Sequence, residues 1–124
     1  MTTATMHPDL ELLLELQDLK MQRRELLEES EERRLEEEIF RVSVADAVAE
    51  LDRKIADMEA RLPPAVRGRY ERLGRRGRVV APVIGGVCYG CFVRVPTAVW
   101  AADAGRNEAL HVCENCGRFL YLTP

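Results

Sequence analysis

The chain has 124 residues, of which 47% are hydrophobic, 31% charged and 6% aromatic, and its formal net charge is −3. That length holds one compact domain, or a small one with an extension, and excludes a large catalytic core. No apolar run approaches the length of a membrane span, and Met1–Pro8 lacks both the basic and the apolar region of a signal peptide, so a cytoplasmic location with reduced cysteines is expected.

The mean composition hides a division at Pro63-Pro64. Residues 1–62 carry 9 Lys and Arg against 17 Asp and Glu, a balance of −8; residues 63–124 carry 9 Arg against 4 Asp and Glu, a balance of +5. All 8 glycines and all 4 cysteines lie in the second half. The expected organisation is a helical arm over 1–62, a short linking helix and basic segment over 63–77, and a small metal-bound ribbon over 78–124.

Between Asp9 and Leu62 there is neither Gly nor Pro, and the stretch is rich in Glu, Leu, Arg and Ala, which predicts helix. Leu12, Leu16, Leu19 and Leu26 follow a coiled-coil spacing in which Arg23 fills the intervening position, and Val44, Val48, Leu51, Ile55, Met58 and Leu62 form a cleaner seam. Between the seams the pattern fails: Ser30–Glu38 is almost wholly charged, and Ile39-Phe40-Arg41-Val42 is β-prone. Ser43 with Asp46 resembles a capping box. The reading is a first helix from Pro8 to Glu29, an irregular connection, and a second helix from Ser43 to Leu62, folded as an antiparallel coiled-coil hairpin. One continuous helix that dimerises along its length is the competing arrangement; the hairpin is preferred because the seam breaks where a turn is needed. Either form exposes a seam, so a homo-oligomer or a protein partner is expected on the arm. Pro63-Pro64 should then stop this helix and start another over Ala65–Leu73, ended by Gly74 as a C′ residue.

The chemistry lies in Cys88-Tyr-Gly-Cys91 and Cys113-Glu-Asn-Cys116-Gly117. A Cys-x-x-Cys turn points two thiolates at one centre, and two such knuckles, with 21 residues between Cys91 and Cys113, complete a tetrahedral four-sulfur site. Gly117 supplies the positive φ such a knuckle needs. One structural Zn²⁺ per chain is expected, in preference to iron, to disulfides in a reducing compartment, or to a redox Cys-x-x-Cys motif. Four thiolates leave no open position for a metal-bound water, which argues against a metal-dependent enzyme. Around the site short antiparallel strands are expected at Arg78–Ile84, Phe92–Val95, Ala109–Val112 and Arg118–Leu122. Gly85-Gly86 should form a turn, Pro82 should mark an edge strand, and Pro96–Ala102 should form a helical turn carrying Trp100 over the core. The fold class is therefore α+β, a helical coiled-coil hairpin followed by a small C4 zinc ribbon.

The segments Tyr70-Glu71-Arg72-Leu73, Val83-Ile84-Gly85-Gly86-Val87-Cys88-Tyr89-Gly90-Cys91 and Cys113-Glu114-Asn115-Cys116-Gly117-Arg118-Phe119-Leu120-Tyr121 make the chain resemble the bacterial C4-type zinc-ribbon family with an N-terminal coiled-coil hairpin. The resemblance implies that Cys88, Cys91, Cys113 and Cys116 bind zinc and that the protein is a nucleic-acid-binding or adaptor protein, some members being linked to transcription and flagellar regulation. The arm is shorter than that family's usual hairpin.

Arg67, Arg69, Arg72, Arg75, Arg76 and Arg78 place six guanidinium groups in twelve residues, opposed only by Glu71, which suits an RNA or DNA backbone. Tyr70, Tyr89 and Phe92 are candidate stacking surfaces. The competing reading pairs this segment with acidic groups, either of the arm or of a protein partner. Arg94, Arg106 and Arg118 read as surface. His111 is expected beside the metal site or on the surface rather than as a ligand, and His7 in a disordered tail. The function expected is a non-enzymatic zinc-ribbon adaptor binding nucleic acid, with a purely protein-binding module as the alternative and no role at a membrane.

Overall fold

A computed structural model describes the backbone of residues 6–32 and 38–124, and the side chains of these residues apart from 30–43. The described residues form an α+β chain: α1 (Pro8–Glu32), α2 (Glu38–Glu59), α3 (Pro64–Gly74), β1 (Val80–Ile84), β2 (Val87–Cys88), α4 (Thr97–Trp100) with a 3₁₀ turn at Ala101–Asp103, β3 (His111–Val112) and β4 (Phe119–Leu122). They fall into two compact units, one of Glu15–Leu62 and one of the chain up to Leu14 together with Pro63–Pro124. None of the described helices is long and apolar enough to cross a membrane.

In the helical unit the expected apolar faces are turned inward. Val44, Ile55, Met58 and Leu62 are buried, with Val48 and Leu51 half-buried; from α1, Leu16 is buried and Leu19 and Leu26 half-buried. Arg23 Nε meets an Asp52 carboxylate oxygen at 2.6 Å, and Lys20 Nζ meets Glu59 at 3.6 Å. Exposed pairs of this kind contribute about 0.2–1 kcal/mol, so burial of the aliphatic side chains dominates.

Two boundaries depart from expectation. The helix α2 does not begin with a cap at Ser43; it starts at Glu38, and the backbone of the β-prone Ile39-Phe40-Arg41-Val42 is helical. Helix propensities of β-branched and aromatic residues differ from Ala by only about 0.7 kcal/mol or less, so a helix already nucleated by the Ala- and Leu-rich sequence that follows extends back through them. The expected irregular connection begins later than Glu29, because α1 continues to Glu32, and the remainder falls on residues 33–37, outside the described residues. At its other end α2 tightens rather than reaching Leu62 as α-helix: Arg61 N–H donates to the Met58 carbonyl at 3.0 Å and Leu62 N–H to Glu59 at 3.2 Å, three-residue closures that satisfy the last carbonyls before Pro63.

The ribbon unit includes the start of α1, where Leu10 and Leu13 are fully buried. His7, expected in a disordered tail, instead caps this helix. Its Nδ1 accepts the Asp9 N–H at 3.1 Å and its carbonyl the Glu11 N–H at 3.1 Å, while its own N–H donates to the Asn107 carbonyl at 2.7 Å. The His7 and Asp9 N–H groups are orphan donors of a first helical turn, the Glu11 bond being the first regular one, and a His supplies an acceptor as Ser or Asp would. In α3, Pro64 stands in the first turn and Tyr70 and Leu73 are buried. Gly74 remains inside the helix, and the left-handed residue that ends the segment is Gly77, at φ 109°.

The sheet order is β2-β1-β4-β3. The outer pairings are antiparallel, but the central one, Val80–Val83 against Phe119–Leu122, is parallel, contrary to the all-antiparallel ribbon expected. A parallel pair needs a crossover of a dozen or more residues, and the chain through both knuckles supplies it. β1 is thus interior, and Pro82 does not mark an edge. Its carbonyl accepts the Tyr89 N–H at 2.9 Å, so its backbone polar positions face β2 and the missing donor costs the β4 ladder nothing. Phe92–Val95 makes only an isolated bridge, Val87 to Arg94, and β3 is shorter than expected because Asp103 Oδ1 and Oδ2 hold the N–H groups of Glu108 and Ala109, each at 3.0 Å. Ala81, Val83, Val95, Leu120 and Leu122 form a core with Cys88 and Cys113; Trp100 packs against it as expected, and Val99 packs there too.

Candidate metal centre

Two copies of one turn build the centre. In the first, Cys88 N–H donates to the Val93 carbonyl at 3.0 Å and Phe92 N–H to the Cys88 carbonyl at 2.6 Å; in the second, Cys113 N–H donates to Arg118 at 2.8 Å and Gly117 N–H to Cys113 at 2.8 Å. The fifth residue of each turn, Phe92 at φ 62° and Gly117 at φ 78°, is left-handed. This fold-back directs the N–H groups of Gly90 and Cys91 at the Cys88 sulfur, and those of Asn115 and Cys116 at the Cys113 sulfur. Gly90 is needed for space: a Cβ there would lie 2.8 Å from Arg118 Cδ and 3.1 Å from Ala81 Cβ.

The four Sγ atoms of Cys88, Cys91, Cys113 and Cys116 lie within 4.8 Å of one another. Cys88 and Cys116 are 3.9 Å apart and Cys91 and Cys113 3.7 Å apart. A tetrahedron with Zn–S bonds of about 2.3 Å has sulfurs about 3.8 Å apart, so the residues present fit a zinc tetrathiolate. The same separations are far beyond an S–S bond of about 2.05 Å, and all four cysteines are free. The protein environment divides the thiols. Burial pushes Cys88 up to about 12, against the N–H groups of Gly90 and Cys91, and burial also raises Cys113. Cys91 is lowered to about 6, first by a hydrogen bond from the Asn115 side chain and then against its partial burial. A divalent cation held by the four cysteines would supply the charge that lets them ionise together.

Two arginines brace the knuckles. Arg69 of α3 donates to the Gly117 carbonyl at 3.1 Å, and Arg118 donates to the Arg78 carbonyl at 2.8 Å and to the Gly90 carbonyl at 3.5 Å. Arg118 is therefore part of the centre's support rather than simple surface. Of the remaining arginine cluster, Arg67 pairs with Glu71 at 3.2 Å, while Arg72, Arg75, Arg76 and Arg78 are exposed and carry no side-chain ion pair among the described residues. From Arg72 to Ala102 the chain contains five arginines and no acidic residue. Among the candidate stacking groups Tyr70 is buried, whereas Tyr89 and Phe92 are 46% and 71% exposed.

His111 is not one of the clustered ligands. Its Nε2 lies 2.8 Å from Asp103 Oδ2, and Asp103 organises the loop that follows α4. Burial raises the Asp103 carboxyl, but the N–H groups of Ala109 and Glu108 and the His111 ring outweigh it, leaving it below the usual aspartate range. Asn107, buried and left-handed, pairs its side-chain amide with both backbone groups of Leu122, at 2.7 and 3.0 Å, standing in for a strand. Neither role has a sequence signal, since His111 lies 8 positions from Asp103 and Leu122 lies 15 from Asn107, neither at the spacing of a regular element. No family model matches the chain, and no curated protein or solved structure matches it.

Proposed function

We propose that the protein is a non-enzymatic zinc-ribbon adaptor that binds nucleic acid through the basic surface of its ribbon unit and meets protein partners, a second copy included, through a helical coiled-coil hairpin. The observation that carries the first part is the acid-free run from Arg72 to Ala102, folded beside a four-cysteine centre, with Arg72, Arg75, Arg76 and Arg78 exposed to solvent. A phosphate backbone matches that surface because guanidinium groups make paired, charge-assisted hydrogen bonds to it. Zinc with four thiolates carries −2, which lowers the balance of residues 63–124 from +5 to +3 and leaves it basic. The ion pairs Lys20–Glu59 and Arg23–Asp52 and the inward-facing aliphatic residues of α1 and α2 support the hairpin. In this reading the metal holds structure and takes no part in turnover, and the resemblance to C4-type ribbon adaptors fits the same assignment.

The test is fluorescence anisotropy of the zinc-loaded chain with labelled RNA and DNA oligomers at low salt. Saturable binding at micromolar protein that weakens steeply with salt is the expected result. Its absence for every oligomer would make the arginine surface a contact for an acidic protein partner.

A further inference from the structure

The two knuckles place one pair of residues in equivalent positions, and only one of the pair is the residue that the backbone favours. Gly117 adopts its left-handed φ without a side-chain penalty; Phe92 adopts the same conformation with a ring attached, and 71% of that residue is exposed. Folding gains little from an aromatic ring in water on a strained backbone. Neighbours in the same turn are of the same kind: Tyr89 is 46% exposed and Val93 43%, so the first knuckle presents exposed apolar side chains. The Tyr89 and Phe92 rings are 5.4 Å apart, tilted by 55°, an arrangement that leaves ring faces open instead of closing them on each other. Arg94 lies two residues beyond Phe92 and is exposed, and the acid-free run surrounds the pair.

Aromatic rings within a run of sequence that holds five arginines and no carboxylate match a ligand that is both flat and anionic. A base in a duplex has its faces covered by its neighbours, so only an unpaired base can lie on a ring. Building on the nucleic-acid reading above, we infer that Tyr89 and Phe92 form a stacking platform for unpaired bases, so that the ligand of this surface is single-stranded nucleic acid, with its phosphates held by the neighbouring arginines.

The experiment uses the full zinc-loaded chain with fluorescein-labelled oligouridylate, oligothymidylate and a mixed-sequence DNA duplex. Phe92→Gly removes the ring while giving the backbone the residue its φ prefers, so a binding defect is not one of folding. The expected result is a loss of single-strand affinity of about 5- to 150-fold, the range of one base–aromatic stack, and a loss for duplex at least fivefold smaller. Phe92→Trp should restore single-strand affinity, and its added fluorescence should be quenched when oligouridylate binds. If Phe92→Gly binds single strands as wild type does, with the usual salt dependence, the platform is overturned and the basic-surface reading stands. If the wild type binds none of the three probes, both fall, and the aromatic patch is a protein-facing surface.

Discussion

Phe92 and Gly117 are structural equivalents: each is left-handed, at φ 62° and 78°, and each donates its N–H to the carbonyl of the cysteine four residues earlier. The left-handed conformation costs a residue with a Cβ about 1–2 kcal/mol, so the two positions should respond oppositely to substitution. Phe92→Gly should leave the ribbon at least as stable as wild type in denaturant unfolding followed by Trp100 fluorescence. Gly117→Ala should lower stability by about 1–2 kcal/mol from the backbone alone, with a further contact to Arg69, whose guanidinium lies 3.2 Å from the added Cβ.

Metal should be inseparable from the folded ribbon. One zinc per chain is expected by elemental analysis, held by Cys88, Cys91, Cys113 and Cys116; iron, or a metal-free chain with disulfides, would exclude the assignment. Chelation or Cys113→Ser should remove near-ultraviolet signal from the ribbon while most helical circular dichroism persists, since α1 and α2 hold most of the helix.

The seam of α2 can be tested by charge. Ile55 is 7% exposed and Leu51 half-buried, and burying a side chain of that size is worth about 1.5–3 kcal/mol. Leu51→Glu with Ile55→Glu should lower the thermal stability of the helical signal and abolish any dimer seen by sedimentation. A wild type that stays monomeric at high micromolar concentration would mean that the seam is satisfied within one chain.

Asp103 predicts a pH dependence of definite sign. Its folded carboxyl is held below the ordinary aspartate value of 3.8, so its stabilisation is fully present above that value and is lost as the pH falls through the depressed folded value. Asp103→Asn keeps one acceptor but turns an amide NH₂ toward a backbone donor, which should cost about 1–3 kcal/mol at neutral pH. The gap between wild type and Asp103→Asn, measured at matched zinc content, should close as the pH drops below 3.8. A gap that widens on acidification would contradict the depressed value.

The six clustered arginines should not behave alike. Arg75→Gln with Arg76→Gln should leave stability unchanged and reduce the salt dependence of nucleic-acid binding by about one to two contacts' worth, each contact giving a log–log slope of about −0.7 on single strands. Arg69→Gln should do the reverse. Its guanidinium is committed to the Gly117 carbonyl, so stability should fall by about 1–3 kcal/mol, with little change in that slope.

Several features were legible in the sequence because their causes are local. A Cys-x-x-Cys spacing fixes which sulfurs converge regardless of what surrounds them, and the glycine after Cys116 announces its turn. The burial of Val44, Ile55, Met58 and Leu62 follows from helical periodicity, and the helical turn that seats Trp100 follows from Pro96 and the residues after it. Boundaries were less legible. The second helix runs back through Ile39–Val42, because propensity differences of a few tenths of a kcal/mol cannot stop a helix already formed.

By itself the sequence determined which four cysteines cluster, the helical character of the first half and the basic character of the second, since each depends on residues within a few positions of one another or on a sum over the segment. Only the tertiary structure decided the parallel pairing of β1 with β4, the burial of Tyr70, and the commitment of Arg69 and Arg118 to carbonyls 48 and 28 positions away. It also set Phe92 apart from Gly117. In sequence one is an aromatic and the other a glycine, with nothing to relate them; in the fold both close the same hydrogen-bonded turn, because a knuckle's backbone geometry is imposed by the convergence of its sulfurs and not by the preference of the residue that completes it.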